Sequence, residues 1–145
     1  FKETRQRVEY VPEYPKYLVY SQHNRMLMDQ FKIFAEQRHY IDILRDHAVN
    51  YAVVDSPLLL GLLYGEKYGT VNEDFAKVIV NEFNTFDNVN FFVTRTVPFD
   101  EVGRVESMEE SDDDSNHLRE LLNKHNINYV EINTTTGIDE ILKYI

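Results

Sequence analysis

A four-residue apolar run, Tyr51-Ala52-Val53-Val54, decides much about the fold of this chain. It shows no alternation and stops at Asp55-Ser56-Pro57. A short run of this kind suits a strand covered on both faces, as in a parallel sheet flanked by helices. Other strand-like segments are Val8–Val11, closed by Pro12, then residues 90–94, ending at Arg95, and residues 129–132.

Segments of helical period separate them. Residues 21–46 bring Leu27, Phe31, Phe34, Ile41 and Leu44 near one face, with Ser21 or Asn24 able to cap the start. Glu73–Phe83 carries Phe75, Val78, Ile79 and Phe83 on one side. Residues 116–125 carry Leu118, Leu121 and Leu122, and residues 138–145, capped near Thr136, carry Ile138, Ile141, Leu142 and Ile145. Prolines 12 and 15 mark a turn, because each fixes its own φ and restrains the residue before it. Residues 61–69 hold three glycines and read as a bend or loop. Residues 96–115 are polar and acidic, broken by Pro98 and Gly103, and read as a mobile lid. Strands alternating with helices imply βαβ units, a parallel sheet and right-handed crossovers, hence an α/β fold.

The length of 145 residues suits one domain. The opening residues 1–6 are polar and helix-compatible and read as the tail of an element that began earlier. The net charge is −10, from 25 acidic and 15 basic residues, which disfavours nucleic acid as a partner. Much of the acidic excess sits in residues 106–114. The apolar stretch at residues 57–64 is far shorter than the roughly 20 residues of a membrane span, so no membrane is expected. There is no Cys, which excludes disulfides and thiolate metal sites and fits a reducing, cytoplasmic setting.

Ligands of open parallel sheets bind at the carboxyl ends of strands, so Glu13, Asp55 and Arg95 are the first candidates. Glu13 could take a proton from a substrate hydroxyl or help place a metal; the alternative is a solvated turn residue. Asp55 could hold Mg²⁺, which takes few protein oxygens, or cap a helical turn beginning at Pro57. Gln30 and Gln37 are seven apart, on one side of a helix. Their amides could read a nucleobase edge or form a solvent-facing shoulder. Arg95, Arg104 and Arg119 could meet phosphate or pair with the acidic residues around them. The five histidines, at 23, 39, 47, 117 and 125, make no HExxH spacing, so zinc and nucleophilic catalysis lack support. Asp112–114 are consecutive, which disfavours a calcium loop.

The order of these parts resembles P-loop kinases of the ribosylnicotinamide-kinase type and related phage-encoded AAA-like ATPases. The residues that carry the likeness are Val8-Glu9-Tyr10-Val11-Pro12-Glu13-Tyr14-Pro15, the helix with Asp29-Gln30-Phe31 and Glu36-Gln37-Arg38-His39-Tyr40-Ile41-Asp42, the strand ending at Asp55-Ser56-Pro57, the strand ending at Thr94-Arg95, and Val97-Pro98-Phe99-Asp100-Glu101-Val102-Gly103-Arg104. It covers nearly the whole chain. The resemblance implies a three-layer, mostly parallel sheet of P-loop kinase type. It implies ATP and Mg²⁺ as cofactors and phosphoryl transfer to a nucleoside or nucleotide-like acceptor. Glu13 would then stand near the acceptor hydroxyl and Asp55 near Mg²⁺ or the acceptor. Gln37 would approach the base, with Gln30 and Tyr14 among the substrate-binding residues. Arg95 and Arg104 would neutralise phosphate.

One departure is large. The family's Gly-x-x-x-x-Gly-Lys-Ser/Thr loop, whose N–H groups cradle phosphates, does not occur in these residues. Its strand is central in the family, so the expectation is either that further residues precede Phe1 or that the sheet rearranges. Two other functions stay open: an ATPase that drives a protein partner, and a binding module that has lost phosphate chemistry. An exposed apolar patch over residues 58–64 would favour the partner, and an acceptor pocket lined by Gln30, Gln37 and aromatics would favour the kinase.

Overall fold

The computed structural model describes residues 6–45, 47–96 and 107–144. Arg104, half of the expected lid (residues 97–106) and the start of the opening segment lie outside them. The chain falls into two units, Phe1–Phe83 and Asn84–Ile145, each taken by itself.

In the first unit, β1 (Val8–Val11) leads into α1 (Tyr14–Tyr20), a 3-10 turn (Asn24–Met28) and α2 (Gln30–Asp42). β2 (Tyr51–Val54) follows and pairs with β1 in parallel, Val8 opposite Tyr51 and Val11 opposite Val54. Then come α3 (Leu60–Tyr68) and α4 (Glu73–Phe83). The core is Val11, Leu18, Ile33, Leu58, Leu59, Leu62, Leu63, Ile79 and Phe83.

Three local expectations change here. Only residues 12 and 13 separate β1 from α1, because Pro15 sits in the first turn of a helix, where a missing N–H is tolerated. The helix expected from residue 21 starts at Gln30, capped by Asp29, whose side chain accepts the N–H of Lys32 at 3.1 Å. Residues 61–69 are largely the helix α3 rather than a loop. Its glycines serve close approach. A Cβ on Gly65 would lie 2.3 Å from Cγ2 of Val71, because the chain turns back at Gly69 (φ 64) and Thr70 N–H reaches the Gly65 carbonyl at 3.0 Å. α4 has the expected bounds, although Val78 is 49% exposed, while Ile79 and Phe83 are buried. Phe31 of α2 is exposed on one side and stacks on Phe75 of α4 at 4.1 Å. Arg38 of α2 donates to Glu82 of α4 at 2.9 Å, and that bond, then Asp42, raises the guanidinium pKa.

In the second unit, β3 (Phe91–Thr94) pairs in parallel with β4 (Val130–Asn133), Phe91 opposite Val130 and Thr94 opposite Asn133. α5 (Met108–Lys124) crosses between them, and α6 (Gly137–Ile141) follows β4. Leu121, Leu122, Ile127 and Ile132 are buried. α5 starts well before residue 116. Ser107 and Glu110 form a capping box, with Ser107 N–H on Glu110 Oε2 at 2.8 Å and Glu110 N–H on Ser107 Oγ at 3.3 Å. The acidic run thus occupies the opening turns of a helix, whose N-terminal dipole favours anions.

The fold is α/β with parallel pairing, and among the described residues the strands form two two-stranded sheets. Each sheet joins an apolar strand (β2 or β3) to one bearing an outward carboxylate (Glu9 or Glu131). A two-stranded sheet leaves every strand one open edge. Val53 is 51% exposed, and the double cover expected for β2 is not found among the described residues.

Candidate functional site

The parallel register brings Glu13 and Asp55 off the same end of the β1–β2 sheet, just beyond the paired residues Val11 and Val54. Glu13 is the N-cap of α1, with extended backbone (φ −86, ψ 108), and its side chain makes no capping bond. Asp55 is exposed and precedes the buried Ser56. The N-cap of α3 is Leu59, so Asp55 does not cap that helix. Tyr14 is buried with Leu18 and Ile33, its ring stacked on Tyr17 at 6.3 Å and edge-on to Tyr40 at 6.4 Å.

Neither glutamine presents a solvent-facing shoulder. Gln37 is 2% exposed; its Oε1 accepts the N–H of Tyr14 and its Nε2 donates to the Pro12 carbonyl, both at 3.1 Å. Gln30 is buried and donates to the Leu27 carbonyl at 2.7 Å. The amides expected to read a base are thus engaged on backbone. A buried amide must find such partners, because leaving them unmade costs about 1–3 kcal/mol each.

The carboxyl end of β3–β4 holds different groups. Arg95 follows β3 and is ion-paired with Asp112 of α5 at 2.5 Å. The Thr96 hydroxyl lies 2.5 Å from that of Thr134 and 3.1 Å from that of Thr135. Asn133 Oδ1 accepts the N–H groups of Thr135 and Thr136, both at 2.9 Å. This hydroxyl cluster was not among the sequence candidates. Its signal is the run Thr134-Thr135-Thr136-Gly137 directly after a strand. Arg119 is structural: it pairs with Glu131 at 2.7 Å and lies over the Phe92 ring at 4.1 Å. Its partner is on β4 rather than in the acidic run.

Among the described residues no group of three or more metal-ligating side chains is assembled. Mg²⁺ needs none, since it takes one or two carboxylates and completes its shell with phosphate oxygens and water. Exposed Asp55, with Glu13 at the same sheet end, fits that donor set.

A family model described as an AAA domain matches residues 3–140. The chain belongs to the AAA domain family. Membership makes it an AAA-type P-loop NTPase domain, a class built for binding nucleotide. No curated protein and no solved structure matches it. Seen as an AAA domain, it keeps its polar groups at the carboxyl ends of both strand pairs, where nucleotide-binding sheets receive ligands. No described helix is long and apolar enough to cross a membrane.

Proposed function

We propose that the protein carrying this AAA domain transfers a phosphoryl group from ATP to the hydroxyl of a nucleoside or nucleotide-like acceptor. The supporting observation is the pair of carboxylates, Glu13 and Asp55, set at one end of a parallel strand pair by the in-register ladder. Bound Mg·ATP supplies the phosphoryl group and neutralises its charge. Glu13 accepts the proton of the attacking hydroxyl, and Asp55 holds the metal. By the resemblance, Arg95 and Arg104 neutralise phosphate charge. Catalysis on this scheme is mostly positioning and electrostatics.

A second reading, an ATPase driving a protein partner, draws on the exposed rings of Tyr17, Tyr20 and Phe31. The patch over residues 58–64 does not favour it, because Leu58, Leu59, Leu62 and Leu63 are buried. The test is ADP release by the intact source protein with Mg·ATP, with and without a panel of nucleosides and nucleotides. Release stimulated by one acceptor, with a phosphorylated product by mass, supports the kinase. Release that no small acceptor changes supports the partner-driven ATPase.

A further inference from the structure

We propose that Gln37 is a positioning residue for Glu13, holding the root of that side chain in place for proton acceptance; the inference rests on the kinase reading above. Gln37 lies on α2, 23 residues from Tyr14 and 25 from Pro12. Its two amide bonds fall on the backbone atoms that flank Glu13, the Pro12 carbonyl before it and the Tyr14 N–H after it. The clamp therefore fixes the peptide planes on both sides of one residue. Glu13 Cα and Cβ are set by those planes, so the side chain leaves the backbone from a fixed root.

The local helix chemistry explains why an amide from elsewhere is needed. The first N–H groups of a helix have no internal partner and usually take a side chain from the N-cap. In α1 the N-cap is Glu13, and its carboxylate takes no part in capping. Pro15 has no N–H to satisfy, and Gln37 takes that of Tyr14. The capping task is thus moved onto α2. Burial strengthens the arrangement, since the amide is 2% exposed and its bond to Tyr14 N–H is buried, while that to the Pro12 carbonyl is partly so. Tyr14, Leu18 and Ile33 join the two helices in one apolar cluster, which keeps the amide in register with the turn.

The experiment uses the intact protein and a two-by-two set: wild type, Gln37→Met, Glu13→Gln and the double variant. Readouts are acceptor-dependent kcat, the KM for ATP, and hydrogen exchange at the Tyr14 amide. Gln37→Glu is a second variant, retaining an acceptor for Tyr14 N–H and losing the donor to Pro12. The expected result is a fall in kcat of about 10- to 100-fold for Gln37→Met with the KM for ATP unchanged, as for a small misplacement of a reacting group. Tyr14 exchange should quicken at least about tenfold, with Gln37→Glu intermediate in both readouts. In the Glu13→Gln background the same Gln37→Met change should alter kcat less than about threefold, since coupled residues are not additive. An equal fall in both backgrounds would show that Gln37 supports the fold alone and overturn the proposal. Unchanged Tyr14 exchange would overturn the clamp itself. Wild-type protein that transfers nothing to any acceptor would end the kinase reading and Glu13's role with it, and Tyr14 exchange would still decide whether the clamp exists.

Discussion

The strand pair β1–β2 ends in carboxylates, whereas β3–β4 ends in a guanidinium and hydroxyls, although both are parallel pairs of four-residue strands joined through helices. The way these groups are held also differs. Around Glu13 the holding bonds come from a buried amide more than 20 residues away in sequence. Around Arg95 and Thr96 the contacts are exposed. Bonds in low dielectric keep their geometry, while exposed charge pairs are weak and exchange with solvent. One end of this kind suits a reacting group that must not move. The other suits groups that can change partners.

The contrast extends to stability, and five substitutions test it. Leu62→Ala should cost about 3 kcal/mol in urea unfolding, because it opens a cavity in the leucine-rich core of the first unit. Leu121→Ala, in the smaller buried set of the second, should cost about 2 kcal/mol; an equal or greater loss would break the contrast. Gly65→Ala should cost about 1–3 kcal/mol, since the new Cβ meets the branched side chain of Val71 and that segment must shift. A neutral result would mean that the return of the chain after α3 is loose. Ser107→Ala should cost about 1 kcal/mol through loss of the capping box, read as earlier fraying of α5 by amide exchange. The smallest effect is expected from Arg119→Ala, about 0.5–1 kcal/mol, from a half-exposed ion pair and a ring contact.

Strand positions were legible because short apolar runs bounded by polar residues admit few other readings. β2 lies where its unbroken run predicts, and β1 has the expected bounds. α4 was legible from Phe75, Ile79 and Phe83 at helical spacing. The misread segments share a cause: a residue with two physical uses. Pro15 breaks helices in their interior and is accepted in their first turn. Gly61 and Gly65 weaken a helix by propensity, yet here they make room for Ile79 and Val71. The acidic run reads as solvated charge until Ser107 and Glu110 are seen as a cap. That Glu13, Asp55 and Arg95 follow strands was legible in the sequence. The partners of Gln37 were not, because no local pattern encodes a bond to Pro12 and Tyr14. The Thr96, Thr134 and Thr135 cluster needs the β3–β4 pairing to exist at all.

The measurement that bears most directly on the account is calorimetric titration of the intact source protein with ATP, with and without Mg²⁺, for wild type and Asp55→Asn. The account requires ATP binding that tightens with Mg²⁺ in the wild type and loses that dependence in the variant. ATP binding that ignores both Mg²⁺ and Asp55, or no binding at all, would contradict it.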